Sequence, residues 1–264
     1  MSEPKSTPLL AVDVGNNRVK VGSFSVVADG GVPEPIGAWA LPGNAPSLDS
    51  VVADCARAGE RLCWWIGSVN RPTTSRLLNW LGEHRPDDPI TLLASGDLPL
   101  EVNLPRPDMV GIDRLLAAVA ANRIRDPDRP AVVVDLGTAV TVDLISADGA
   151  FQGGAILPGI EMAARALHDY TDLLPRIEMS ELAEPPEPLG KATEPAMRSG
   201  LYWGAVGAVR ELIGRMIPDR AIEPELFLTG GAGPMVANLL SESAYHVPHL
   251  TLAGIALTAK LPAQ

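Results

Sequence analysis

Cysteine is nearly absent. Cys55 and Cys63 are the two in 264 residues, too few and too close in sequence for a disulfide framework or a four-cysteine zinc site. That usage fits a reducing, cytoplasmic setting. Positive charge is outnumbered, with 21 Lys and Arg against 32 Asp and Glu and a formal net charge of −11. This argues against a broad basic surface for nucleic acid or anionic lipid and leaves room for a local anion site. Long apolar runs are missing too: Asp, Arg or Gly-Pro pairs divide every apolar stretch before the roughly 18–20 residues a membrane helix needs. No membrane partner is expected. The first eight residues are polar and mixed in charge, so no signal peptide is expected there. Aromatic residues reach only 4% while Ala, Gly and Leu abound, which points to aliphatic helix-on-sheet packing rather than an aromatic-rich β-sandwich. With 46% hydrophobic and 20% charged residues, the composition suits one large globular protein or two packed domains.

One pattern occurs twice. Leu9-Leu10-Ala11-Val12 leads into Asp13-Val14-Gly15-Asn16-Asn17, and Val19, Val21 and Phe24 then alternate. This reads as a buried strand, a tight polar turn and a second strand. Ala131-Val132-Val133-Val134 leads in the same way into Asp135-Leu136-Gly137-Thr138, followed by alternating Val140, Val142 and Leu144. The repeat predicts a duplicated α/β fold. Short strands are expected within 61–70 and 90–94 and over 226–228, with helices over 111–124, 160–167 and 196–217. Prolines 127 and 130 end the first of these helices, so the domain boundary is placed between 1–125 and 126–264. A proline-rich surface loop is expected over 174–188.

Asp-x-Gly-polar turns at strand ends gather backbone N–H groups into a small concavity able to hold phosphate. A carboxylate beside phosphate needs a cation between them, and Mg²⁺ is the expected ion at Asp13. The plainer reading of Asp13 and Asp135 is turn closure through their own side chains. Thr138 and Thr141 could donate to phosphate, and Lys20 could offset its charge; β-propensity and a solvated surface account for them equally. Asp113, in the first turn of a helix, is expected to stay charged beside the macrodipole and to accept a proton, with Arg114 a bidentate partner for a carboxylate. The run Thr229-Gly230-Gly231-Ala232-Gly233-Pro234 lacks dinucleotide-motif spacing; it suits close backbone approach to adenine or a helix-entry turn. His246 and His249 read as loop residues rather than metal ligands, and Trp64-Trp65 as core or subunit interface.

Together these segments resemble the type III pantothenate kinases, a branch of the actin-like superfold that includes acetate and sugar kinases. The matching stretches are Asp13-Val14-Gly15-Asn16, Gly111-Ile112-Asp113-Arg114, Asp135 to Asp143, Gly153 to Gly159, and Thr193 with Gly200, in the family's order. Leu174-Pro175, Thr229-Gly230-Gly231 and Leu252-Ala253-Gly254 match more weakly. The resemblance implies duplicated ribonuclease H-like (actin-like ATPase) domains with mixed sheets flanked by helices. It implies transfer of the ATP γ-phosphoryl group to pantothenate, the first step of coenzyme A synthesis, by a homodimer using Mg²⁺ and a monovalent cation, K⁺ or NH₄⁺. Carried over by position, Asp13, Val14, Gly15, Asn16, Asn17, Arg18, Val19 and Lys20 form the first phosphate loop. Thr138 contacts ATP, Asp135 binds the monovalent cation, and Asp113 is the base. Gly111, Ile112, Asp113, Arg114 and Thr193 hold pantothenate. Two positions depart from the family: Asn17 stands where Thr or Ser is usual, and Leu104 where a Tyr lines the pantothenate pocket. These departures motivate two alternatives, a same-fold kinase for another small hydroxylated acceptor and a catalytically weak nucleotide-binding regulatory protein.

Overall fold

Strand β1 (Leu9–Val14) is buried at every residue, so it needs neighbours on both edges and cover on both faces. Its antiparallel partner is β2 (Arg18–Phe24), which pairs in turn with β3 (Gly37–Pro42). On its other edge β1 pairs in parallel with β4 (Cys63–Ser68), and β4 with β5 (Ile90–Leu92), giving the order β3-β2-β1-β4-β5. A second sheet repeats this plan. Its strands are β6 (Ala131–Leu136), β7 (Ala139–Ile145), β8 (Phe151–Pro158), β9 (Glu225–Thr229) and β10 (Tyr245–His246), in the order β8-β7-β6-β9-β10. Antiparallel and parallel pairings fall at the same places. The duplication expected from the two Asp-x-Gly turns is therefore one of whole sheets. This computed structural model describes residues 8–24, 31–44, 46–56, 60–178, 184–217, 219, 221–231, 240 and 243–259.

One face of the first sheet, with Leu10, Val12, Val21 and Ile66, packs on α1 (Asp49–Cys55) and α2 (Arg71–His84). The buried Trp64 belongs to this core, its Nε1 donating to Asp88 Oδ2 at 2.9 Å. The opposite face meets α3 (Ile112–Ile124) and the last helix, α6 (Leu250–Thr258). Glycines make that approach close: a β-carbon at Gly254 would stand 1.9 Å from the Leu116 carbonyl oxygen, and one at Gly67 would stand 2.6 Å from Leu116 Cδ1. In the second sheet Val132, Val134, Val140 and Val142 pack on α5 (Thr193–Met216), and α4 (Ile160–Asp169) packs on α5 through Ile160 and Ala164. Among the described residues, no helix is long and apolar enough to cross a membrane.

The chain divides into two units, Met1–Ile124 with His249–Gln264, and Arg125–Pro248. The first boundary lies one residue before the expected one. The second half does not extend to residue 264 as expected, because α6 buries its apolar surface in the first unit. Other expectations shift locally. Asp13 with Val14, and Asp135 with Leu136, are the last rungs of their strands rather than turn residues: Asp13, Val14 and Asp135 keep partners on two neighbouring strands, and Leu136 keeps one on β7. Helix α5 starts at Thr193 rather than at 196, because Pro195 falls in its first turn, where no N–H is needed. His246 lies in edge strand β10, and His249 is the N-cap of α6. Ala232, Gly233 and Pro234, and residues 179–183 of the expected loop, lie outside the described residues.

Candidate functional site

In the first unit, residues 15–17 join β1 to β2, with the Gly15 N–H donating to the Arg18 carbonyl at 3.0 Å. Asn16, Asn17 and Arg18 are exposed. Val14 and Val19 flank the turn but are fully buried, so these two offer a ligand only their backbone. Asp13 and Lys20 are paired in register across the hairpin, with Nζ 3.8 Å from Oδ2. The carboxylate side chain is 10% exposed and the ammonium-bearing chain 38%. A largely desolvated anion is thus matched by a cation that still reaches solvent.

Asp113 lies in the first turn of α3, its Oδ1 accepting from the Arg114 N–H at 2.9 Å. Gly111 leaves the space for this carboxylate, since a β-carbon there would stand 2.6 Å from Oδ1. Burial pushes the Asp113 pKa above the ordinary carboxylate value; the Arg114 N–H, the Arg114 charge and the Lys20 charge pull the other way without overcoming it. Desolvation thus outweighs the local donors and cations in setting the direction of the shift. Chemically, that makes Asp113 a stronger base than an exposed aspartate. The turn after β4 lies next to both features. Val69 donates its N–H to the Val14 carbonyl at 3.1 Å, Asn70 Nδ2 donates to the Asn16 carbonyl at 3.4 Å, and Val69 borders Gly111. Sequence reading passed over Asn70, although an Asn two residues before Pro72 is a helix-start signal.

In the second unit the corresponding turn is closed by the Gly137 N–H donating to the Ala139 carbonyl at 3.1 Å. Thr138 is half-buried beside it, and its carbonyl accepts from the Gly159 N–H at 3.1 Å. A β-carbon at Gly159 would stand 2.4 Å from the carbonyl oxygens of Gly137 and Thr138, so the Gly153-to-Gly159 motif serves to press β8's end against this turn. Asp135 faces Thr141 on β7 and Thr229 on β9. Gly230, at φ 87°, passes so near Asp135 that a β-carbon would stand 2.4 Å from Oδ1. A carboxylate oxygen is a hard donor, which suits a hard cation rather than a soft metal. Among the described residues no group of three or more His, Cys, Asp or Glu is arranged to hold a metal ion. Thr193, exposed, is the first residue of α5. The next residue, Glu194, lines a shallow cavity of about 390 Å³ with Pro186, Glu187, Pro195 and Arg198. Thr193 belongs to the second unit and Gly111 to Arg114 belong to the first.

Comparison with known proteins follows the same segments. The type III pantothenate kinase of Alkalilimnicola ehrlichii is 34% identical over 254 residues, covering 95% of this chain and 97% of that protein. That of Acidiphilium cryptum is 40% identical over 172 residues, 65% of this chain and 63% of that protein, so this second match spans less than two thirds of its relative's length. Two solved structures superpose over nearly all of the chain. A conserved protein of the Baf transcriptional activator family from Campylobacter jejuni gives a TM-score of 0.60 at 20% identity, covering 96% of this chain and 97% of that one. The ethanolamine utilization protein EutJ from Carboxydothermus hydrogenoformans gives 0.52 at 14%, covering 98% and 91%. At those identities they speak to the fold alone, which is the duplicated α/β architecture with two mixed sheets flanked by helices. The profile of the type III pantothenate kinase family matches residues 9–215, which contain both Asp-x-Gly turns and Asp113, and the chain belongs to that family.

Proposed function

We propose that this protein phosphorylates pantothenate at its primary hydroxyl with ATP, giving 4′-phosphopantothenate, the first step of coenzyme A synthesis. The observation that carries the reading is Asp113, a carboxylate in the first turn of α3 that Gly111 leaves room for, set in the same unit as the first phosphate turn. In the reaction the acceptor oxygen forms a bond to the γ-phosphorus, the bond from that phosphorus to the bridging oxygen of ADP breaks, and the hydroxyl proton passes to Asp113. A loose transition state asks for alignment and charge neutralisation more than for a strong base. The backbone N–H groups of residues 16–18 and the Lys20 ammonium hold phosphate oxygens of ATP. Arg114 pairs with the pantothenate carboxylate.

Membership of a kinase family implies ATP and a divalent metal. Asp13, a hard oxygen donor at the mouth of the turn, is the residue that suits Mg²⁺, which when bound draws charge from the phosphate oxygens. Asp135 suits K⁺ or NH₄⁺. The enzyme works as a homodimer in the cytoplasm. A second reading keeps this chemistry and changes the acceptor: Leu104, half-buried before α3, replaces the family's tyrosine with a side chain that offers no hydroxyl. ADP release measured over a panel of small hydroxylated acids separates the two. Pantothenate leading the panel supports the proposal, and a strong preference for another alcohol removes pantothenate from it.

A further inference from the structure

One face of α2 holds the first phosphate turn at two successive carbonyls. Asn70 caps the helix, its Oδ1 accepting from the Thr73 N–H at 3.1 Å. That contact fixes the orientation of the amide, so Nδ2 is the atom that faces Asn16 and donates to its carbonyl at 3.4 Å. The next carbonyl, that of Asn17, accepts from the Gly43 N–H at 3.0 Å. Gly43 is itself gripped from α2: its carbonyl accepts from Thr73 Oγ1 at 3.0 Å and from Arg76 Nη2 at 3.1 Å, and Arg76 also donates to the Thr73 hydroxyl. Asn70, Thr73 and Arg76 recur at intervals of three and so share one side of the helix. A β-carbon at Gly43 would stand 3.1 Å from the Asn17 carbonyl carbon and oxygen, so the turn is braced by contact as well as by hydrogen bonds.

A trans peptide points its C=O and its N–H in opposite directions. Holding the Asn16 and Asn17 carbonyls toward Asn70 and Gly43 therefore turns the N–H groups of Asn17 and Arg18 to the other side before any ligand arrives. We propose that Asn70 and Arg76 are positioning residues for nucleotide phosphate, acting through Asn16 and Gly43 to pre-set the N–H donors of the turn. The inference rests on the reading of residues 15–18 as a phosphate turn. Donors oriented in advance bind without the cost of ordering them, so the clamp acts on nucleotide affinity and not on pantothenate.

Asn70→Asp separates this role from stability. Aspartate is as good an N-cap as asparagine but has no donor for the Asn16 carbonyl, and it sets two acceptors face to face. The melting temperature should hold, while the dissociation constant of Mg-ADP and of a non-hydrolysable ATP analogue, read by calorimetry, rises about fivefold, the worth of roughly one hydrogen bond. The KM for ATP should rise with it and the KM for pantothenate stay put. Arg76→Ala, at an exposed position, gives an independent reading that leaves the cap intact. Arg76→Lys, which keeps one donor for Gly43, should recover part of the loss. Nucleotide affinity unchanged in both Asn70→Asp and Arg76→Ala, with wild-type binding intact, overturns the clamp and leaves the phosphate turn standing. Absence of nucleotide binding by the unaltered protein removes the phosphate reading and the clamp together.

Discussion

Gly111 lies against the Asp113 carboxylate so closely that a β-carbon would come within 2.6 Å of Oδ1. A buried carboxylate needs room at its own helix start, and glycine supplies it. Two results are expected from this pair. Asp113→Asn should lower kcat about a hundredfold or more while nucleotide still binds. Gly111→Ala should lower activity by displacing the carboxylate. Steady-state kinetics with nucleotide calorimetry checks both; a near-wild-type kcat in Asp113→Asn would remove the residue from the base role.

The raised pKa of Asp113 gives this carboxylate a pH signature. Its protonated form is favoured in the folded state, so its contribution to stability is fully present below the unfolded pKa and is lost as pH rises through the folded pKa. Asp113→Asn should therefore melt higher than wild type at neutral pH, with the difference closing in acid. The acid limb of kcat/KM should lie above that of an ordinary aspartate. Lys20→Met, which removes a cation acting on Asp113, should move that limb further up. Melting curves and pH profiles read these three shifts.

Gly230 guards Asp135. Its φ of 87° and the 2.4 Å approach to Oδ1 make Gly230→Ala costly, by about 2 kcal/mol from backbone strain alone. If Asp135 holds the monovalent cation, K⁺ should stimulate wild-type activity over Na⁺ and Asp135→Asn should abolish the stimulation with the fold retained. Stimulation that survives the substitution would place the cation elsewhere.

Asp88 anchors the far end of the first sheet. Burial pushes its pKa up, but Arg85, the Trp64 indole and the Leu62 N–H together hold it below the ordinary value. Its stabilising share is thus present above the unfolded pKa and lost as pH falls through the folded one. Asp88→Ala should destabilise by about 2 kcal/mol, allowing for the partial exposure of Arg85. Chemical denaturation at neutral pH, repeated in acid where the difference should shrink, checks it.

Much of this was legible in the residues. Both hairpins, α3 and α5 announce themselves through alternation or helical spacing. The order of short motifs around Asp13, Asp113 and Asp135 points to the family without any structure. Helix α2 was not legible, because it opens on Pro72 and two threonines and buries a narrow face of Thr73, Thr74, Leu77 and Leu81. Strand β3 hides behind Gly37 and Pro42 and alternates as an edge. Helix α6 is apolar on every side, so no period marks it, and its place in the first unit depends on Gly254 meeting Leu116, residues far apart in sequence. The same distance in sequence conceals the basicity of Asp113 and the hold of Asn70 on Asn16, which arise from packing.

The departure at Asn17 makes a finer test. Its side chain is exposed while its carbonyl is held by Gly43. Asn17→Thr should restore a hydroxyl without moving the turn, and so tighten the apparent affinity for ATP. An unchanged KM for ATP would show that the amide already meets the loop's need.

The most direct measurement is mass-spectrometric detection of 4′-phosphopantothenate after the purified protein is incubated with pantothenate, ATP and Mg²⁺, with K⁺ present or replaced by Na⁺. The account predicts ATP-dependent product that increases with K⁺ and is lost in Asp113→Asn. No phosphorylated pantothenate from a folded protein that binds ATP would contradict it.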